Sequence, residues 1–344
     1  MIYINLLIIF LLIITIHEFG HYFSARLFNA KVTDFSIGFG KPLFQFIDKN
    51  KTRWIVAIIP LGGYVKIKGL DTIFQKEKKD EYESGTFQSL SLIKKIVILL
   101  SGSFFNIISA WICLFCFMFF IGISEYSPKV GKVMNNSSAS KNDIREGDII
   151  MSINSKDINN FLEIPKAIGG NEFIKIKISR KNKIIDKSFY LDFNEDTQRH
   201  IIGIMSTEEI TVQKYNFSDS IINSILFIPN YYKSSILFLK NSIKKNTIAN
   251  ELSGPIGLVK NADKLMLDQI KGILFLFILI SLFVGMFNLF PIPLLDGGHI
   301  VYFIVRSIFS DSLPIFITKI YLTIGISIIS ILFILITFND IFYK

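Results

Sequence analysis

The sequence predicts an α-helical polytopic membrane protein of about four transmembrane helices, with a membrane-associated β-hairpin region and an inserted α+β domain. Three observations predict it. The 344 residues are 51% hydrophobic and only 19% charged, against roughly 25% in soluble domains, and the mean hydropathy is +0.47. Four apolar runs each meet the ~20-residue requirement for crossing hydrocarbon. Between the second and third runs, about 80 residues alternate short apolar strands with polar turns, enough chain for one small domain.

The first span covers about Ile2 to Leu27. Met1 to Ile16 holds no Lys or Arg and no A-x-A-like site follows, so the segment reads as a retained span and not a cleaved signal. It carries His17-Glu18-Phe19-Gly20-His21. The spacing puts two imidazoles one helical turn apart on one face, where they can grip one Zn²⁺, with Glu18 beside them as general base for water. A chance motif in a buried helix is the bland alternative. Each ionisable group at the centre of a span costs roughly 2.5–3.5 kcal/mol, so three together argue for function.

In the loop that follows, Phe35 to Gly40 and Trp54 to Ile58 read as strands around a polar Asp48-Lys49-Asn50-Lys51 turn. Pro60 to Lys66 offers a glycine break and another short strand, and Thr72 to Ser84 is a charged loop. A small cytoplasmic hairpin and strands that dip into the membrane both fit the pattern, and an edge strand could bind an extended peptide. The second span, Ile96 to Ser124, has no charged residue. Cys113 and Cys116 lie inside it, away from any βαβ unit, and read as ordinary span residues without redox chemistry.

The module over 125–206 has strands at Val130 to Val133, Asp148 to Ile153 and Phe173 to Ile178, with a helix at Phe161 to Ile168. From Ile210 to Leu267 the pattern turns amphipathic and helical, and Ser224 to Lys240 suits a membrane surface. The third span covers Gly272 to Phe290. Pro291 and Pro293 should end its helix, with the chain beyond extended and Gly297-Gly298 allowing a tight turn. A catalytic zinc takes three protein ligands, and Asp296 at this break is the favoured third. An interfacial helix-capping role for Asp296 and ligation by His299 are the alternatives; His200, in the inserted module, reads as incidental. The fourth span runs from Ile315 to Phe338. The resulting segments are 1–28, 29–92, 93–124, 125–206, 207–271, 272–300 and 301–344.

Net charge is +9, but the Lys and Arg lie between apolar segments and form no basic tract interleaved with aromatics, which excludes nucleic acid as the expected partner. Arg26, Lys31, Lys41, Lys94 and Lys95 flank the first loop near the span ends. The positive-inside rule then puts that loop in the cytoplasm, and both termini and the inserted module outside.

HEFGH in the first span, taken with Asn288-Leu289-Phe290-Pro291-Ile292-Pro293-Leu294-Leu295-Asp296-Gly297-Gly298-His299, resembles the site-2 protease family of intramembrane zinc metalloproteases. The similarity is greatest to bacterial inner-membrane enzymes of regulated intramembrane proteolysis with one PDZ insert. It implies Zn²⁺ held by His17, His21 and Asp296, Glu18 activating water, and Asn288 polarising the scissile carbonyl. Gly38-Phe39-Gly40 and Pro60 to Lys66, including Gly63, Tyr64, Val65 and Lys66, resemble the family's re-entrant β segment that pairs with the unwound substrate. Ser101 to Asn106 resembles its second-span motif, which puts Gly102 and Asn106 on the substrate side; Ser103 replaces a common proline. Ser253-Gly254-Pro255-Ile256-Gly257 resembles the element before the third span. The run from Asn136 to Ile150 resembles a PDZ domain, with Ser138 where proline is usual and Asp143 where glycine is usual. The implied partners are single-span membrane proteins or remnant signal peptides as substrates, membrane lipids, and a peptide ligand for the PDZ-like domain.

Overall fold

The computed structural model describes residues 2–70, 83–195, 199–207, 210–244, 269–309 and 314–342. The Ser253 to Gly257 element and most of the Thr72 to Ser84 loop lie outside the described residues. The chain forms two compact units, Met1–Phe117 with Phe217–Lys344, and the insert Met118–Asn216. Among the described residues, four helices are long and apolar enough to cross a membrane: Tyr3–Leu27, Leu92–Ile121, Ile270–Phe287 and Phe316–Leu335.

Helix α1 spans Ile2–Leu27. Its Thr15 and Ser24 hydroxyls find acceptors within the helix, Thr15 donating to the Leu11 carbonyl at 2.7 Å and Ser24 to the Gly20 carbonyl at 3.0 Å, so they burden the apolar span little. Strands β1 (Val32–Ile47) and β2 (Arg53–Ile67) follow as an antiparallel pair. The Asp48 carboxylate closes the turn, accepting from the amides of Asn50 and Thr52 at 2.8 and 2.9 Å and from Trp54 Nε1 at 3.1 Å. The pairing is double. Ser36 stands opposite both Tyr64 and Ile55, and Trp54 opposite both Phe35 and Phe46. Each strand therefore works as two segments, and Asp34 to Ile37 lies between Arg53 to Val56 and Gly63 to Lys66. Gly38 and Gly40, at φ 88° and 93°, and Gly62, at φ 112°, bend the strands between segments, a conformation that glycine alone adopts freely. The expected short strand Pro60 to Lys66 is thus continuous with Trp54 to Ile58 but pairs as its own segment, an edge facing α1. Val32, Phe35 and Ile67 at the base are buried, whereas Leu43, Phe44, Ile47, Ile58 and Leu61 are apolar and exposed.

Helix α2 (Leu92–Cys116) crosses beside α1 and continues through a wider π turn to Ile121. The two helices touch through small residues. A Cβ on Gly20 would collide with the Ser101 carbonyl, and the Ser24 and Ser101 hydroxyls lie 2.7 Å apart.

In the insert, β3 (Ile123–Tyr126) pairs with β12 (Ile210–Gln213), and β4 (Val130–Val133) with β11 (Ile204–Ser206). A four-stranded sheet takes the order β6-β5-β7-β8, from β5 (Ile149–Ile153), β6 (Lys156–Asp157), β7 (Phe173–Arg180) and β8 (Lys183–Tyr190), and β9 (Asp192–Asn194) pairs with β10 (Arg199–Ile201). Ile174, Ile176 and Ile178 alternate inward along β7 against Ile150 and Ile153. Short helices α3 (Ser138–Lys141) and α4 (Ile164–Ile168) complete it. Asp143 holds the left-handed conformation at φ 52°, which an Asp tolerates. Beside it, buried Asp148 receives Arg180 Nε at 2.7 Å and Nη2 at 2.8 Å, and the Arg145 amide at 2.9 Å.

Helix α5 (Phe217–Lys244) lies against α6 (Gln269–Phe287): Tyr231 and Tyr232 donate to the Leu279 and Leu282 carbonyls, each at 3.2 Å. Tyr231 and Tyr232 lie in the middle of the part expected on a membrane surface, Ser224 to Lys240. Two corrections concern the ligand region. The third helix stops at Phe287, before Pro291 and Pro293 remove their amides, and a separate helix α7 (Asp296–Ile308) begins at Asp296. The chain between is turned and not extended, with Leu294 at φ 80°, and Gly297-Gly298 form the first turn of α7. Cβ atoms there would strike the Leu289 and Ile292 carbonyls, so the glycines serve close packing. Helix α8 (Ile315–Phe342) supports the same loop: Tyr321 donates to the Gly298 carbonyl at 2.8 Å, and Gly325 abuts Pro293.

Candidate metal centre

His17, Glu18 and His21 project from one face of α1, ten to six residues before Leu27. At 1.5 Å per residue they stand about 9–15 Å inside the end of that span. Asp296, the first residue of α7, meets them from across the bundle, because the Gly297 amide donates to the Asn288 carbonyl at 2.8 Å and folds the loop back. A capping role does not describe its place: Leu295 caps the helix, and Asp296 faces the histidines.

Three atoms converge. His17 Nε2 lies 3.2 Å from His21 Nε2, and Asp296 Oδ2 lies 3.1 and 3.4 Å from them. Four-coordinate zinc with ligands near 2.0–2.1 Å has a tetrahedral edge of about 3.3 Å, so the triangle has the size that ion requires. Asp296 Oδ2 is buried and has no hydrogen-bond partner beyond the two imidazoles, and His21 Nδ1 lies 2.8 Å from the Ile98 carbonyl. That carbonyl can only accept, so it fixes the proton on Nδ1 and leaves the Nε2 lone pair free. The donor set fits a divalent cation. His299 lines the same cavity of about 390 Å³ but turns Nδ1 to the Leu295 carbonyl at 3.0 Å, outside the triangle. His200 sits in the insert with its ring against Phe193.

The other expected residues divide into groups. Asn288 Nδ2 is 3.5 Å from His17 Nε2, at the rim of the triangle. Tyr64 and Val65 line the cavity from the β2 edge. The Val65 amide, read from sequence as a partner for substrate, donates to Glu18 Oε2 at 2.9 Å. Gly63 packs near the Glu18 side chain, and a Cβ there would lie 2.7 Å from the Ser36 carbonyl. Lys66 stands opposite Asp34 in the sheet, and Gly38 and Gly40 sit at the strand bend. Gly102 and Asn106 lie behind the metal ligands: Gly102 faces both imidazoles, and buried Asn106 is 3.4 Å from His17 Nδ1. Sequence reasoning missed that the Val65 amide serves Glu18 and that the Ile98 carbonyl serves His21, since backbone groups carry no residue signature for such roles. It also missed the Tyr321 and Gly325 support from α8.

Residues 5–332 match the family model described as peptidase family M50. A protein of Rickettsia conorii named, provisionally, as a zinc metalloprotease is 33% identical over 96% of this chain and 95% of its own. A Campylobacter jejuni protein with the same kind of name is 32% identical over 96% of this chain and 90% of its own. The solved PDZ domain of an SdrC-like protein from Listeria monocytogenes matches 26% of this chain and 95% of its own, at 18% identity and a TM-score of 0.23, a likeness too slight to carry the fold of the insert.

Proposed function

The chain belongs to peptidase family M50, the site-2 protease family, and on that premise we propose that it hydrolyses peptide bonds within or near the transmembrane segments of single-span substrates. It is an integral-membrane zinc metalloprotease. The observation that carries the finer reading is the depth of the His17, His21 and Asp296 triangle inside apolar helices.

His17, His21 and Asp296 would hold zinc, which when bound would supply Lewis acidity toward a peptide carbonyl. Glu18 takes the proton of the attacking water and delivers it to the leaving amine. The Val65 amide holds the Glu18 carboxylate at 2.9 Å, so the base is oriented by the β2 edge. Asn288 offers its amide to the developing oxyanion. A peptide bond inside a helix is shielded, so the substrate must unwind, and the edge segment Gly63 to Lys66 provides a strand for it to pair with. The exposed apolar end of the hairpin supports its insertion into the bilayer, because a hairpin in water would not carry such a patch. The substrate class is single-span regulators of the anti-sigma-factor type or remnant signal peptides, and the insert is a PDZ-like module that meets a peptide. The first loop faces the cytoplasm, with both termini and the insert on the outer side.

Cleavage of a tagged single-span substrate by wild type and Glu18→Gln, with zinc measured on the same samples, tests the reading. Loss of cleavage with zinc retained supports it. Equal cleavage by both removes Glu18 as the base and refutes the active-site assignment.

A further inference from the structure

We infer that Asn106 is a positioning residue for His17, a two-way hydrogen-bond partner that decides which imidazole nitrogen is free for the cation. The inference rests on the ligand reading above. Asn106 is fully buried on α2. Its backbone carbonyl is occupied by the Ser109 and Ser281 hydroxyls, both at 2.9 Å, yet its side-chain Oδ1 has no hydrogen-bond partner. A buried amide oxygen without a donor is costly, so its place behind a ligand needs a reason.

The two states of His17 provide one. With Asn106 Nδ2 3.4 Å from His17 Nδ1, the amide donates and the ring proton sits on Nε2, where Asp296 Oδ2 accepts it at 3.1 Å. In that tautomer Nε2 has no lone pair to offer a cation. Holding a cation requires the Nε2 lone pair and a proton on Nδ1. A half-turn of the Asn106 amide exchanges two atoms of nearly equal size and brings Oδ1 to accept that proton. The orphaned oxygen then has a donor. His21 needs no such partner, because the Ile98 carbonyl accepts only and keeps one tautomer throughout. An amide serves both states of His17, an aspartate only the metal-bound one, and a leucine neither.

The test uses the full-length protein in detergent, with zinc affinity from competition with a chromophoric chelator and the visible spectrum of the Co²⁺-loaded protein. Asn106→Asp is expected to hold zinc within about threefold of wild type, with a wild-type Co²⁺ spectrum. Asn106→Leu is expected to lose about 10–100-fold in zinc affinity and to shift the Co²⁺ bands. Wild-type affinity in Asn106→Leu, or equal loss in both variants, overturns the inference, the latter because an acceptor at that position would then not hold the site. His17→Ala is measured alongside. Unchanged zinc binding there overturns the ligand reading and this inference together; loss there with retention in Asn106→Leu overturns this inference alone.

Discussion

Adding one methyl group to Gly102 should disable the metal centre without touching a ligand. A Cβ at this position would collide with His21 Nε2 and lie 2.7 Å from both His17 Cε1 and His21 Cε1. Ordinary carbon contacts begin near 3.4 Å, so each ring carbon must retreat by about 0.7 Å. Metal sites tolerate ligand displacements of about 0.2 Å. The rings cannot move away from α2 freely, since Ile98 holds His21 at 2.8 Å and Gly20 is already in contact with the Ser101 carbonyl. The expected outcome for Gly102→Ala is at least a 100-fold loss of zinc affinity, about 2.7 kcal/mol, together with an overpacking cost of about 1–3 kcal/mol in stability. The control is Gly285→Ala on α6, whose Cβ would meet the Ser103 carbonyl at 3.1 Å and Ile107 at 3.2 Å. That variant also crowds α2, but against the Ser103 carbonyl, Ile107 and, at an ordinary 3.5 Å, Asn106 Cβ, with neither imidazole among its nearest contacts, so it should keep zinc. Chelator competition gives the affinities and thermal unfolding in detergent gives the stabilities. Zinc affinity in Gly102→Ala within threefold of wild type would refute the geometry, as would equal losses in the two variants.

Glu18→Gln should lower cleavage by about 10²–10⁴-fold while zinc content stays at the wild-type level, read by single-turnover assay and metal analysis. Arg180→Met should destabilise the insert by about 3–5 kcal/mol, because it strands the buried Asp148 carboxylate; hydrogen exchange on β5 and β7 of the full chain reads the change. Acid should loosen the same region. Hydrogen bonds from Arg145 and then Arg180 hold Asp143 at about 2, and although burial by itself would raise Asp148, Arg180 and the Arg145 amide hold it below its ordinary value. Both folded values lie under the unfolded ones, so the stabilisation is complete above about pH 4 and is lost as pH falls from there toward 2. Exchange protection of the insert should fall across that window in wild type, and a flat profile contradicts the assignment.

Several parts of this protein were legible in the chain. The spans follow from uninterrupted apolar length, since lipid demands helices that satisfy their own backbone. The i, i+4 spacing of His17 and His21 fixes two ligands on one helix face, and the Asp48 to Lys51 turn follows from turn chemistry. Asp296 could be singled out by its charge beside Pro291 and Pro293, but the helix that begins at it, and the packing of Gly297 and Gly298 under Leu289 and Ile292, could not.

What the chain by itself determined is therefore local: where helices run, which acids and imidazoles are too costly in lipid to be idle, and where the strands turn. Only the tertiary structure decided that Asp34 to Ile37 pairs on both sides, with Arg53 to Val56 and with Gly63 to Lys66, that the Val65 amide serves Glu18, and that Gly102 and Asn106 stand behind the ligands. The reason is physical. Apolar periodicity and residue charge act along the chain and leave a mark on every segment they shape. A backbone amide, a missing Cβ and an amide oxygen acquire their roles only from atoms brought close across 47 to 89 residues of chain.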